Sequence, residues 1–169
     1  MEYFDIYDKN RRLIGKRVKR GEDSLLPPGE YHLVVDVILV NSTGEFLIQK
    51  RCADKRYCPN MWGLTGGAVS AGETSMQAII RETKEEIGLD LRAEDLTLFY
   101  QSYGEDMAVL VDVWSACKDV DVADLIMQKE EVCALKWASA DELRKLFAEK
   151  QFMPPLVPFL EKYLAEKSS

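Results

Sequence analysis

Histidine is nearly missing from this chain: His32 stands alone among 169 residues. One imidazole cannot build a histidine-rich zinc or iron centre. Cysteine is also sparse. Cys52, Cys58, Cys117 and Cys133 form no C-x-x-C pair and no zinc-like spacing. Cys117 and Cys133 fall in apolar strand patterns and are expected as core thiols, which fits a reduced, cytoplasmic protein. No run of 18 or more apolar residues occurs, so no membrane partner is expected. The start, "MEYFDIYDKN", has acids where an export signal carries bases. An excess of basic residues is lacking too: 22 Lys and Arg face 29 Asp and Glu, a net charge of −7. Such a chain repels polymeric nucleic acid and other anions at long range. A phosphorylated substrate would need cations close to its site. Two local basic runs exist, "KRVKR" (16–20) and "QKRCADKR" (49–56). Both suit solvated surface. The second lies just ahead of a glycine-rich stretch, so its Arg51 and Arg56 are also candidates to meet a substrate anion.

What is present describes one ordinary domain. Hydrophobic content of 47% with 30% charged residues supports a real core. "EYFDIYD" and "RRLIGKRV" read as a hairpin, followed by the turn-rich "GEDSLLPPGE", so residues 1–28 form an extension of hairpin and linker. Residues 29–167 form the main domain. In it, "YHLVVDVILV", "FLIQKR", "LTLFYQSY", "MAVLVDVWSACK" and "EVCALKWAS" read as strands. "CADKRYCPNMWGL" and the glycines after it read as loop. Helices are expected after Thr74, with the capping pattern T-x-x-Q, after Ser139, with S-x-x-E, and at the C-terminus. Strands on both sides of a central helix, with helices at the end, predict an α/β fold with a mixed sheet covered on both faces.

The segment "GGAVSAGETSMQAIIRETKEEIGL" (66–89) holds the chemistry. At 3.6 residues per turn Met76, Ile80, Thr83 and Ile87 share a stripe expected to face the core. Glu82, Glu85 and Glu86 crowd a neighbouring face. Like charges at such spacing each cost a helix roughly 0.2–0.5 kcal/mol, and here they lie at the end where the macrodipole is already negative. A solvated helix face tolerates this. A hard divalent cation would repay it, because magnesium prefers carboxylate, carbonyl and phosphate oxygens.

From Gly67 to Leu89 the chain resembles the Nudix box, G-x5-E-x7-R-E-U-x-E-E-x-G-U, where U is a bulky aliphatic. All seven fixed identities match, and chance agreement is on the order of 10⁻⁸ per starting position. Thr83 departs from the first U and needs a hydrogen bond for its hydroxyl, which the preceding turn's carbonyl can accept. The resemblance extends to Met61–Trp62 and "EEVCALKWASADEL". It implies the Nudix α/β/α sandwich around a mixed sheet, with the hairpin as an N-terminal extension. It also implies hydrolysis of a diphosphate linked to another moiety, X, with Mg²⁺ or Mn²⁺. The implied metal ligands are Glu85, Glu86, the carbonyl of Gly66 and Glu82, the last being alternatively the base that activates water. Arg81 and Glu73 match the pair that ties loop to helix.

A second base outside the box is common in the family, and Glu105, Asp106, Glu130 and Glu131 are candidates. Tyr57 and Trp62 are candidates to stack on a ring of the ligand, or to pack. Tyr3, Phe4 and Ile6 of the hairpin, if exposed, would suit a homodimer contact. The N-terminal half also resembles isopentenyl-diphosphate isomerases. Those carry T-C-C-S-H-P where this chain has "TGGAVS" (65–70), without the cysteine or histidine. A non-catalytic ligand sensor is the third reading, against which the complete glutamate set speaks.

Overall fold

A computed structural model describes residues 1–22 and 26–169. The middle of the expected linker, Asp23–Leu25, lies outside the described residues. β1 (Tyr3–Tyr7) and β2 (Leu13–Lys19) pair antiparallel as the expected hairpin. Alternation along β1 turns Phe4 and Ile6 inward, 2% and 0% exposed, so neither is available for a dimer contact. Phe4 stacks on His32 with ring centroids 5.3 Å apart.

Among the described residues seven further strands form one mixed sheet: β3 (His32–Val40), β4 (Phe46–Arg51), β5 (Trp62–Gly63), β6 (Thr65–Ala68), β7 (Thr97–Gly104), β8 (Val109–Cys117) and β9 (Val132–Ala138). β3 and β8 run parallel along their whole length, and the other pairings are antiparallel. β3 meets β4 only at Val40 and Phe46. Beyond that point the two strands diverge. β6 fills the gap against β3, and β5 and β9 pair with β4. The glycine-rich stretch expected as loop is therefore strand in its first part, because Thr65–Ala68 completes the ladder of Val34–Val37.

Three helices flank the sheet: α1 (Ser75–Ile87), α2 (Ala140–Ala148) and α3 (Val157–Lys167). Both expected capping boxes form, at Thr74/Gln77 and Ser139/Glu142. Leu33, Val35, Val37 and Leu39 pack one sheet face against α1. Ile38, Val111 and Val113 join the other face to Leu143 of α2 and Leu160 of α3. The result is an α/β/α sandwich with two cores. Thr83 is fully buried and donates to the carbonyl of Ile79 at 2.7 Å, which satisfies its hydroxyl inside the core. The buried stripe of α1 is rotated from the expected one. Ala78, Ile79, Thr83, Glu86 and Ile87 are buried, while Met76 and Ile80 are only partly covered.

The cysteines depart from expectation. Cys52, at the end of β4, is bonded to Cys133 on β9, and Cys117 at the end of β8 is exposed. β4 and β9 are antiparallel neighbours, which brings these thiols together despite 81 residues between them. Cysteine usage therefore gives no support to a reducing compartment. Among the described residues no helix is long and apolar enough to cross a membrane.

Candidate active site

α1 brings its acids together, and one arginine organises most of them. Arg81 Nε and Nη2 donate to Glu73 at 2.8 and 2.9 Å. Nη2 also donates to the Ala68 carbonyl at 3.0 Å, and Nη1 to Glu82 at 2.8 Å and Glu85 at 3.2 Å. A planar guanidinium suits such a fork, and it neutralises repulsion that the helix itself makes worse. Burial pushes the Glu73 carboxyl up, but Arg81 and the Ser70 amide outweigh it and hold it below the ordinary range. For Glu82 burial wins over Arg81, and its carboxyl is raised.

Glu86 lies apart from that fork and is only 7% exposed. Gln49 Nε2 donates to its carboxylate at 2.9 Å, and the Gly66 amide approaches at 3.4 Å. Thr65 Oγ1 donates to Gln49 Oε1 at 2.9 Å and so fixes which way the amide points. Two neutral donors do not offset burial, which pushes the Glu86 carboxyl up to about 8. Glycine is required beside these acids. A Cβ on Gly67 would overlap the Glu82 carboxyl, and one on Gly66 would overlap the Val35 carbonyl oxygen. β6 thus runs its backbone directly against the helix acids.

The donor set fits a hard divalent cation. It is all oxygen, it contains a buried carboxylate without a cationic partner, and backbone is held close by two glycines. Among the described residues no three acids, cysteines or histidines already stand at ligating separation, since Arg81 draws Glu82 and Glu85 aside. Glu85, 53% exposed in its side chain, is the one free to swing.

A cavity of about 870 Å³ opens beside Gly66–Ala68 on the α3 side of the sheet. Its lining includes the polar Gln49 and Arg51 and the apolar Leu64, Met153, Leu156 and Phe159. Of the candidates for substrate contact, Arg51 and Tyr57 line it. Arg51 Nε donates to the Tyr57 carbonyl at 2.8 Å, which leaves its terminal nitrogens for the cavity. Arg56 is exposed away from the cavity. Trp62 is also off it, packed on the α3-side core with Lys136 Nζ 4.8 Å from its ring centroid. Glu105 and Asp106 line the cavity, with Glu105 3.2 Å from Lys9. Glu130 is exposed. Glu131 is 2.5 Å from Lys55, and its charge reaches Glu86.

Sequence reading missed Gln49 and Asp36. Asp36 breaks the otherwise apolar "VVDVILV", and that interruption was the available signal, whereas Gln49 opens the polar half of "FLIQKR" and gave none. Asp36 faces the cavity, and burial alone raises its carboxyl to about 7. The hairpin was also underestimated. The Tyr3 carbonyl accepts from the Ala71 amide at 2.8 Å, and Asp5 Oδ2 from the Gly72 amide at 2.7 Å. The extension therefore holds the loop that carries Glu73.

The chain is similar to known proteins of one family. The NUDIX domain family model matches residues 30–160. An uncharacterized Nudix hydrolase of Listeria monocytogenes is 40% identical over 155 residues, covering 91% of this chain and 89% of that protein. Nudix hydrolase 3 of Arabidopsis thaliana is 31% identical over 170 residues, covering 94% of this chain and 22% of its own. A Deinococcus radiodurans crystal structure superposes with a TM-score of 0.76 at 21% identity, covering 95% of this chain and 98% of the other, a likeness of fold. A bifunctional NMN adenylyltransferase/ADP ribose pyrophosphatase from Francisella tularensis gives 0.65 at 20% identity, covering 84% and 43%.

Proposed function

Because the chain belongs to the Nudix hydrolase family, we propose that it hydrolyses the diphosphate linkage of a nucleoside diphosphate joined to X, or of a related organic diphosphate, with Mg²⁺ or Mn²⁺. The observation that carries this is the buried Glu86, lacking a cationic partner and held by Gln49 and the Gly66 amide, two residues that also line an 870 Å³ cavity. Glu85, Glu86 and the Gly66 carbonyl would hold the ion, with Glu82 either a further ligand or the base that activates water. When bound, it neutralises charge on the phosphoryl group and lowers the pKa of water.

The chain's own residues do the rest. Arg81 locks Glu73 and Glu82, so the loop and helix keep one geometry. Gln49, oriented by Thr65, aims Glu86. The Arg51 terminal nitrogens meet a phosphate oxygen at the cavity mouth, the local cation that an acidic chain needs. Glu82 takes the proton as a water oxygen bonds to phosphorus, and the bridging P–O bond breaks with its electron pair leaving on the departing phosphate. Glu105 or Asp106 is the alternative base, since both line the cavity. Tyr57 covers the ligand at the rim. Isomerase chemistry lacks its groups. Thr65–Ser70 carries neither thiol nor imidazole, and Cys52 is tied to Cys133.

The test is a panel of nucleoside and organic diphosphates with phosphate detection, run with Mg²⁺ and with chelator. Turnover of at least one compound, abolished by chelator and by Glu86→Gln with folding intact, is expected. A wild type inert across the panel, or equally active with chelator, would refute hydrolysis and favour a sensor.

A further inference from the structure

On the diphosphate-hydrolase reading the cavity would take the moiety X, and one residue lining it bears on its chemistry. β3 presents His32, Val34 and Asp36 on the cavity side, while Leu33, Val35 and Val37 face the α1 core. Asp36 sits opposite Gly66 in the strand ladder, so close that a Cβ on Gly66 would lie 2.5 Å from Asp36 Oδ1. Among the described residues its carboxyl has no hydrogen-bond or ion-pair partner. This differs from Asp112, the other acid inside a buried strand, which accepts from Arg11 at 2.6 Å and Gln101 at 3.0 Å. Asp36 is partly exposed, so solvent in the cavity can meet its carboxyl, and a ligand that displaces this solvent must supply a donor or leave the carboxyl unpaired at a cost. The same cavity is lined by the apolar side chains of Leu64, Val111, Met153 and Leu156.

We infer that Asp36 is a specificity-determining residue that accepts a hydrogen bond from an amino or hydroxyl group of X, so that X is a donor-bearing, uncharged polar group such as a nucleoside or sugar rather than a hydrocarbon. The charge lining the cavity agrees. Asp36, Glu105 and Asp106 line the cavity together with one arginine, Arg51, so a further phosphate on X would meet acids. A prenyl tail would leave Asp36 buried and unpaired, and sites built on a hydrogen bond reject ligands that lack it. This inference rests on the diphosphate-hydrolase reading for where X lies, and its test separates the two.

ADP-ribose and dimethylallyl diphosphate serve as probes, the first rich in donors and the second with a hydrocarbon X. For wild type, Asp36→Asn and Asp36→Val, kcat/KM with Mg²⁺ is measured for both, along with binding of both by calorimetry without metal. Thermal melts accompany each variant, and Asp36→Val is expected to fold at least as stably as wild type. Wild type is expected to prefer ADP-ribose in turnover and binding. In Asp36→Val the ratio of the two probes should fall by roughly 10- to 100-fold, mainly through ADP-ribose, with Asp36→Asn between. A wild type that prefers the hydrocarbon probe, or a variant that weakens both probes equally, overturns the inference and makes Asp36 a scaffold residue. No turnover of either probe, with the binding preference present and lost in Asp36→Val, leaves the inference standing and passes the question of hydrolysis to the wider diphosphate panel. Absence of any preference in binding sinks the inference whatever the turnover.

Discussion

A Glu86→Gln change separates two consequences that the wild-type side chain carries together. Without metal the buried carboxyl titrates near 8 in the folded chain, against about 4.5 for an ordinary glutamate. The folded state thus keeps a proton that the unfolded state has released between those values. Stability therefore falls as pH rises from about 4.5 to 8, by an amount on the order of a few kcal/mol. Glutamine does not titrate. Metal-free Glu86→Gln should match the wild type near pH 4 and exceed it above pH 8 in denaturant melts, while turnover drops roughly 10²- to 10³-fold. A flat wild-type profile over that window would contradict the burial reading. Gly67→Ala tests the close approach from the other side. Its Cβ overlaps the Glu82 carboxyl, so that side chain must move. Misplacing one catalytic group costs roughly 100-fold in kcat, and circular dichroism should show the fold retained.

The helix and strand elements show what pattern reading reaches. α1 was legible from Thr74 to Gly88, because capping chemistry and the apolar period both act within a few residues. β6 was not, because three of the four residues of "TGGA" are poor strand formers. It is strand only because β3 and β4 diverge and leave Val34–Val37 needing a partner. The same limit hid the disulfide. Cys52 and Cys133 are distant in sequence and meet only through the β4–β9 register. The box acids were legible as candidates, yet the Arg81 fork and the Gln49 support depend on where β4 and β6 pass. Closing an 81-residue loop restricts the unfolded chain. Reduction, or Cys133→Ala, should cost roughly 2–4 kcal/mol of unfolding free energy. Denaturant melts with and without reductant check this, with mass spectrometry of alkylated thiols. Four free thiols in the native protein and no shift on reduction would contradict it.

Across the whole molecule the N-terminal hairpin is tied to both the site and the sheet. Its β1 backbone and Asp5 hold the 71–72 loop ahead of Glu73. At its turn Arg11 reaches Asp112, which is 4% exposed, and also donates to the Ser102 and Val111 carbonyls. Arg11→Met strands a buried carboxylate. The expected loss is about 2–3 kcal/mol, below the 3–5 of a fully buried pair since Arg11 is partly exposed. Adding Asp112→Leu should recover part of it, and urea melts of the two variants decide. An extension that merely trailed from the domain would show neither effect.

The measurement that bears most directly on the site is a crystal grown with Mn²⁺ and a non-hydrolysable diphosphate analogue, read by anomalous scattering at the manganese edge. Density for an ion bonded to Glu86, Glu85 and the Gly66 carbonyl, with Glu85 swung off Arg81, is the predicted result. Glu85 still clasped by Arg81, and no ion within reach of Glu86, would contradict it.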